Sequence, residues 1–295
     1  MRTANVRSAL RLDDPRPQGG SLPDGDAIAA LATRSLLLEL ETWPKPGLVS
    51  HVDRGSHDDM NAGMFRASAQ AIQPYFAALA KSGAEGCGMG RLRIIGLAAE
   101  AAMLEATSGV NTHRGAIFGL GLLCAALGAR AAGLADPTIS LGTIVASRWG
   151  HDIINGPVLL HSHGEGVRRR YGSGGARMEA ALGFPSLYEI GLPALRRGVL
   201  AAPDDAEAQR VEACFALIAS VEDTNLLHRG GPSGLRFARH AARQFIRCGG
   251  VGRSDWRRRA QAVHESFVAR RLSPGGSADI LAMSLFVRAC EDGAS

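Results

Sequence analysis

The spacing of apolar residues constrains the fold of this chain most strongly. From about residue 24 onward, apolar side chains recur at intervals of three and four positions; after Asp59, for example, Phe65, Ile72, Phe76 and Leu79 form one stripe. This period matches one face of an α-helix. Because no sustained segment alternates apolar and polar residues with β-branched enrichment, we predict an all-α fold.

The pattern predicts a series of helices and one domain. We expect residues 24–295 to form a single multi-helix globular domain with glycine-rich polar loops, whereas residues 1–23, with prolines and glycines among charges, form a loose tail. Asp58 or Asp59 is the predicted N-cap of the second helix. The helices are predicted at 26–41, after Asp59, and at 91–107, 113–132, 138–149, 204–222, 233–247, 254–271 and 277–291.

Composition argues against several classes of protein. The longest apolar run, 115–129, is shorter than the roughly 20 residues that span a bilayer, so no membrane helix is expected. The N-terminus has no signal-like apolar region, which favours a cytoplasmic protein. Five cysteines without a CxxC motif favour neither a disulfide framework nor a zinc site. No basic arm is present, so we expect no nucleic-acid partner.

The basic residues are almost all arginine. Of 33 lysines and arginines, only Lys45 and Lys81 are lysines, which leaves 31 arginines, and the net charge is +5. Arginine binds planar oxyanions well. A genome-wide codon preference would produce the same bias, and we favour it for most of these residues.

Glycine and polar residues concentrate in five connections between the predicted helices. These loops cover 44–60, 108–115, 161–185, 223–234 and 273–279. Glycine is unfavourable within helices and useful where backbone approaches a ligand, so the chemistry is expected in these loops.

The first two loops offer cations near helix ends. Prolines flank Lys45 and would aim it at a phosphate, although an exposed lysine in a turn is the alternative. Asn111, Thr112 and Arg114 open the most apolar helix, where free backbone N–H groups favour an anion. A simple Asn/Thr cap explains the same residues equally well.

The third loop contains the carboxylates Glu165 and Glu179 and the arginines Arg170 and Arg177 among glycines. His161 and His163 with Glu165 resemble a metal cluster, but alternate residues point together only in an extended segment. Metal binding by these histidines is therefore not favoured.

The last two loops add a carboxylate, an amide and a helix start. Asp223, Asn225 and Arg229 follow a helix, and Ser273, Gly275 and Gly276 precede one. Isolated carboxylates beside cations suit Mg²⁺, which takes one or two protein carboxylates plus substrate phosphates. The residues alone thus predict a Mg²⁺-dependent enzyme that acts on a phosphate-rich nucleotide.

The loop motifs together resemble the triphosphoribosyl-dephospho-CoA synthases. The matching segments occur in order between about residues 39 and 286: PKPGLV at 44–49, GxHxDM at 55–60, GVNTHRGAIF at 109–118, HGE at 163–165, YG at 171–172, GARxEA at 175–180, GFP at 183–185, DTN at 223–225, RGG at 229–231 and LSPGGSAD at 272–279.

Two positions depart from the citrate-lyase members of that family. Ser50 stands where they have Asp, and Arg114 where they have Lys. The charge at 114 survives, whereas a carboxylate role at 50 does not carry over; Asp53 is a candidate substitute. Trp43-Pro44 with the segment from Ser50 to Asp53 is more similar to the malonate-decarboxylase branch.

The resemblance implies a defined reaction. ATP and 3′-dephospho-CoA give 2′-(5″-triphosphoribosyl)-3′-dephospho-CoA and adenine, and the product becomes the prosthetic group of an acyl-carrier subunit. The bond between ribose and adenine breaks while the triphosphate stays intact. Such a displacement passes through an oxocarbenium-like state and needs a base and a proton donor.

The resemblance also assigns roles to the loop residues. Asp59 and Asp223 are expected to bind Mg²⁺ or act as base, with Glu165 and Glu179 as further catalytic carboxylates. The expected nucleotide- and phosphate-binding residues are Lys45, Asn111, Thr112, Arg114, Arg170, Arg177, Asn225, Arg229, Ser273, Gly275 and Gly276.

Two other functions remain open from the sequence. The His57-Asp58 and His151-Asp152 pairs are also typical of an all-α metal-dependent phosphohydrolase acting on a nucleotide, and a non-catalytic nucleotide-binding protein is the third possibility. The expected partners are the small substrates, without membrane or nucleic acid. A homodimer is expected only because such dimers are common.

Overall fold

A computed structural model describes residues 24–157 and 174–291 of the chain. These residues form eleven α-helices and no strand, which confirms the all-α prediction. The helices are α1 Gly25–Leu40, α2 Ala62–Ala84, α3 Met89–Ala106, α4 Arg114–Ala131, α5 Leu141–Asn155, α6 Gly175–Ala181, α7 Leu192–Ala201, α8 Ala206–Ser220, α9 Thr224–Arg247, α10 Trp256–Val268 and α11 Gly275–Glu291. A π-helical turn, Leu187–Gly191, precedes α7, and a short 3₁₀ helix, Gly250–Gly252, follows α9.

The nine predicted helices all exist, but two loop predictions are wrong. The third loop contains α6, and the fourth is helical from Thr224 up to Gly231, where a positive φ and Pro232 break α9. Glycine and proline are poor helix formers, which is why the sequence predicted loops here. Packing against neighbouring helices keeps these segments helical. The predicted tail, 1–23, and the first part of the third loop lie outside the described residues.

The predicted N-cap of α2 is also wrong. The N-cap is Asn61, whose side chain accepts the backbone N–H of Met64, so the helix begins at Ala62, three residues after Asp59. Asn and Asp cap equally well, and the sequence alone could not distinguish them. Asp59 does not cap the helix, and its carboxylate is exposed.

The core is built around α4, which packs against α1, α2, α3, α5 and α11. Two glycines let α2 and α4 approach closely. A Cβ atom at Gly83 would collide with the carbonyl of Ala125, and one at Gly128 with the carbonyl of Ala80. Within the described ranges, α4 is the one helix long and apolar enough to cross a membrane, but 67% of it is buried by the rest of the chain, as in a core helix.

Candidate active site

The loops converge on a cavity of about 1320 Å³. Twelve of the fifteen residues expected from the sequence line it: Asp59, Asn111, Thr112, Arg114, Arg177, Glu179, Asp223, Asn225, Arg229, Ser273, Gly275 and Gly276. Glu165 and Arg170 lie outside the described residues. Residues far apart in the chain thus meet at one place, as the pattern of glycine-rich loops predicts.

His57 connects three of these loops. Its Nε2 atom lies 2.8 Å from the Ser273 hydroxyl, and its Nδ1 atom accepts a hydrogen bond of 3.0 Å from Arg229. Burial and the Arg229 charge lower the pKa of His57, against the opposing effect of Asp59. A neutral His57 therefore donates from Nε2 and accepts at Nδ1. Arg229 also donates to the carbonyls of Ser56 and Arg271, so it holds the first loop against the segment that leads into the fifth.

Asp223 joins the starts of two helices. One carboxylate oxygen accepts the N–H groups of Asn225 and Leu226 and caps α9, while the other accepts both the N–H and the hydroxyl of Ser277 in α11. Burial raises the pKa of Asp223, and these four donors act in the opposite direction. With two donors on each oxygen, the carboxylate is already satisfied by the protein.

Lys45 lies outside the cavity wall. Its side chain is fully buried and its ammonium group forms an ion pair with Glu39 of α1. The exposed lysine considered from the sequence is therefore wrong. A direct phosphate contact is not supported by this geometry, because the proline-flanked segment folds inward. Gly47, at positive φ, packs against the Leu272 carbonyl, where a side chain would clash.

Asp53 does not supply a cavity carboxylate either. It accepts the indole N–H of Trp43 at 3.2 Å and the backbone N–H of Gly55 at 2.8 Å, and it lies 3.3 Å from Nε2 of His264. Burial opposes ionisation, but these donors outweigh burial and lower the pKa of Asp53. Asp53 thus stabilises the loop.

The start of α4 is occupied by side chains of the protein. Asn111 accepts the N–H of Arg114 at 3.1 Å, while Thr112 and the buried His113 both contact Ser68. Burial lowers the pKa of His113 to about 3, so the imidazole is neutral. The N-cap residue is His113, so the predicted Asn/Thr cap is wrong in position, although Asn111 accepts the first N–H group of the helix.

Asp279 is the residue that the sequence-based reasoning missed. Its carboxylate lies against Gly115, where any Cβ atom would overlap it, and it lines the cavity. Burial raises the pKa of Asp279 well above its ordinary value, and the charges of Glu39 and Asp223 act in the same direction, whereas the backbone N–H of Ala116 opposes them. In the sequence, Asp279 is the last residue of the motif LSPGGSAD, but its place near the start of a helix could not show that its side chain is buried.

Three other cavity side chains contact the protein in this structure. Arg114 forms an ion pair of 2.9 Å with Glu100. Arg177 donates to the carbonyls of Ile153, Ile154, Gly156 and Pro157 and so caps the end of α5. Glu179 accepts both the N–H and the hydroxyl of Ser186. These contacts explain how the residues shape the cavity, while their phosphate and catalytic roles stay predictions.

The arrangement does not support a preformed transition-metal site. Among residues 24–157 and 174–291, no three His, Cys, Asp or Glu side chains are grouped so that they could hold a metal ion. His57 lines the cavity, but His151 and Asp152 do not and are exposed on α5. The two His-Asp pairs therefore do not combine into the metal site that a phosphohydrolase of the HD type requires.

Comparisons with known proteins agree on one family. The family model described as CitG, ATP:dephospho-CoA triphosphoribosyl transferase, matches residues 25–295. Three relatives are each called probable 2-(5''-triphosphoribosyl)-3'-dephosphocoenzyme-A synthase. The protein of Stutzerimonas stutzeri (strain A1501) is 40% identical over 89% of this chain and 91% of its own. That of Pseudomonas aeruginosa (strain UCBPP-PA14) is 40% identical over 96% and 94%, and that of Albidiferax ferrireducens is 38% identical over 95% of both. No solved structure matches.

Proposed function

The chain belongs to the CitG family and is a triphosphoribosyl-dephospho-CoA synthase, a transferase, and from this premise we propose how its cavity works and which pathway it supplies. In the proposed reaction, the ribose 2′-oxygen of 3′-dephospho-CoA forms a bond to the anomeric carbon of ATP. The bond from that carbon to adenine breaks with its electron pair going to adenine. The hydroxyl proton is released, adenine takes up a proton, and the triphosphate moves with the ribose.

The size and lining of the cavity carry this proposal. Its volume of about 1320 Å³ exceeds the roughly 300–1,000 Å³ usual for one small ligand, so two nucleotides can be held together. Holding both reactants in line removes much of the entropic cost of a bimolecular reaction. Leu97, Met178 and Leu182 give part of the wall an exposed apolar surface suited to the pantetheine arm.

We assign the triphosphate to the wall formed by Arg229 and the start of α11. The N–H of Ser277 is used by Asp223 and that of Ala278 by Pro274, which leaves the N–H groups of Gly275 and Gly276 for an anion. A helix N-terminus and a neighbouring guanidinium both favour phosphate. Asn225, which packs against Gly275, lies at the same wall.

Asp59 is the carboxylate that best fits Mg²⁺. Asp223 offers no unused lone pair, whereas Asp59 is exposed and its carboxylate lies 3.6 Å from Nδ1 of the neutral His57. Its position beside His57 and Arg229 places it at the proposed triphosphate wall. When bound, Mg²⁺ would neutralise phosphate charge. Asp59 would anchor the ion–triphosphate complex to the protein.

Asp279 is proposed as the proton donor to the departing adenine. Its carboxyl group lines the cavity and is shielded by Gly115 and the start of α4. Since burial and the charges of Glu39 and Asp223 raise its pKa well above the ordinary value, it holds a proton at higher pH than an exposed Asp and can give that proton to a leaving group. The base is one of the catalytic carboxylates predicted from the sequence, Asp59, Asp223, Glu165 and Glu179, of which Glu165 lies outside the described residues.

Substitution of Asp59 tests the metal assignment. We expect Asp59→Asn to release adenine at least about 100-fold more slowly at low Mg²⁺, with partial recovery at high Mg²⁺. The matched control is Asp58→Asn, which removes a neighbouring exposed charge outside the cavity lining. An Asp59→Asn enzyme with the parental rate and Mg²⁺ dependence would refute the assignment.

We also propose that the product serves malonate decarboxylase. The support is the segment from Trp43 to Asp53, which is similar to that branch. In the structure Ser50 is buried and its hydroxyl accepts the N–H groups of Val52 and Asp53, so it closes the turn that distinguishes this segment. Deleting the gene should leave the malonate decarboxylase carrier subunit without its prosthetic group by mass spectrometry. A fully modified carrier subunit would contradict the proposal.

A further inference from the structure

A second cavity, of about 840 Å³, lies apart from the first and shares no lining residue with it. One wall comes from the π-helical turn and α7, the floor from the end of α8, and the other wall from the second half of α9. Its lining residues are Glu189, Ile190, Arg197, Ala216, Ala219, Ser220, Arg236, Arg239, His240, Arg243, Ile246 and Arg247. We call this cavity the arginine groove.

The arginine groove concentrates positive charge. Five arginines and one glutamate give its lining a formal charge of +4, whereas the whole chain carries +5. Arg236, His240, Arg243 and Arg247 follow one another at helical spacing on α9, over about 16 Å at 1.5 Å per residue. Arg197 faces them from α7. None of the five arginines has a carboxylate within ion-pair distance in the part of the chain described here.

Two of the arginines fix the groove, and the other three expose their guanidinium groups, of which that of Arg247 also donates to the Gln244 side chain at 2.8 Å. Arg239 donates to the carbonyls of Ser220 and Val221, and Arg243 to that of Ala219, so both hold α9 against the end of α8. Arg197, Arg236 and Arg247 are exposed. The groove wall thus presents, at helical spacing, guanidinium groups that have no carboxylate partner. Arginines scattered over a surface do not present such an array to one ligand.

We propose that the arginine groove binds a soluble ligand that carries linked phosphates. Guanidinium groups bind phosphate oxygens in pairs, and several of them along one groove match a chain of phosphates better than a single anion. The volume lies in the usual range for small-ligand sites, and the apolar side chains of Ile190, Ala216 and Ile246 that line the groove can contact a nucleoside. A concave shape of this size favours a small ligand over a flat acidic protein surface.

Tripolyphosphate binding by calorimetry tests this site without relying on catalysis. We expect the parent to bind tripolyphosphate at two sites and the Arg236→Glu/Arg247→Glu variant to lose one of them, or to bind at that site at least tenfold more weakly. Adenine release from ATP and dephospho-CoA should stay at the parental rate in this variant. The control is Arg91→Glu/Arg258→Glu, which reverses two exposed arginines outside both cavities. Affinity should fall steeply between 50 and 200 mM salt.

Separate titrations with ATP and dephospho-CoA identify the source of the phosphates. A groove-dependent loss with tripolyphosphate and ATP assigns the site to a triphosphate chain, and one with dephospho-CoA extends it to diphosphates. The proposal is overturned if the groove variant binds all three probes as the control does. Binding of an acidic protein alone, with no phosphate probe affected, would also overturn it. Because the readout is binding, failure here leaves the proposed reaction untouched.

Discussion

The buried pair of Lys45 and Glu39 gives the sharpest test of how the first loop is built. We predict that Lys45→Met destabilises the fold because it leaves Glu39 buried without its counter-charge. Burial already raises the pKa of Glu39, and Lys45 is the group that opposes this. Without Lys45, the folded protein must keep Glu39 protonated.

The magnitude follows from the proton that Glu39 must retain. Glu39 titrates near 4.5 when unfolded. Each pH unit above that value costs about 1.4 kcal/mol, and because the pKa of Glu39 is already raised in the parent, the loss is at most about 3 kcal/mol at pH 7 and below about 1 kcal/mol at pH 5. The pKa of Glu39 is higher in the folded state than in the unfolded state. The free energy of unfolding therefore falls as the pH rises above the unfolded-state pKa. Glu39→Gln/Lys45→Met should recover all but about 1 kcal/mol, since both charges are gone.

Urea unfolding at pH 5 and pH 7 measures these differences. ATP affinity provides the second readout: if Lys45 is structural, the double variant keeps a KM for ATP within about threefold of the parent. A Lys45→Met protein as stable as the parent at pH 7 would refute the buried-pair argument. A double variant that is stable but has lost ATP affinity would restore the phosphate role predicted from the sequence.

Three further predictions concern packing, capping and proton donation. Gly128→Ala should lower the free energy of unfolding by more than about 2 kcal/mol in a urea titration because its Cβ meets the Ala80 carbonyl, whereas Gly96→Ala, with open space around it, should raise it by about 0.5–1 kcal/mol. Asp223→Ala should cost about 3 kcal/mol, since it removes a helix cap and leaves Ser277 unsatisfied; a loss under 1 kcal/mol would contradict this. Asp279→Asn should slow adenine release about 100-fold or more and abolish the fall in rate as pH rises, while an unchanged pH profile would refute its role as acid.

The helices could be predicted from sequence because each buries one face. The stripe from Phe65 to Leu79 follows this rule, whereas α4 is apolar on all sides because other helices surround it. Helix α6 could not be predicted, because its seven residues begin at a glycine of positive φ and contain one buried side chain. Its helical form depends on packing against α5, which is a tertiary effect.

The site could be predicted in its location but not in its contacts. Glycine-rich loops marked Asp59, Asp223 and Arg229, and all three line one cavity. Sequence could not show that Asp223 is saturated by four donors, since two of them come from Ser277, 54 positions away. The burial of Lys45 and Asp279 likewise depends on helices distant in the chain, which local patterns do not encode.

The most direct test of the central claim is the mass balance of the reaction. Purified protein, ATP, Mg²⁺ and 3′-dephospho-CoA are incubated together, and all products are identified by mass spectrometry. We predict one adenine for each dephospho-CoA consumed, and a product whose mass equals both substrates minus adenine, with all three phosphates of ATP retained. Release of inorganic phosphate or ADP without adenine would contradict the claim.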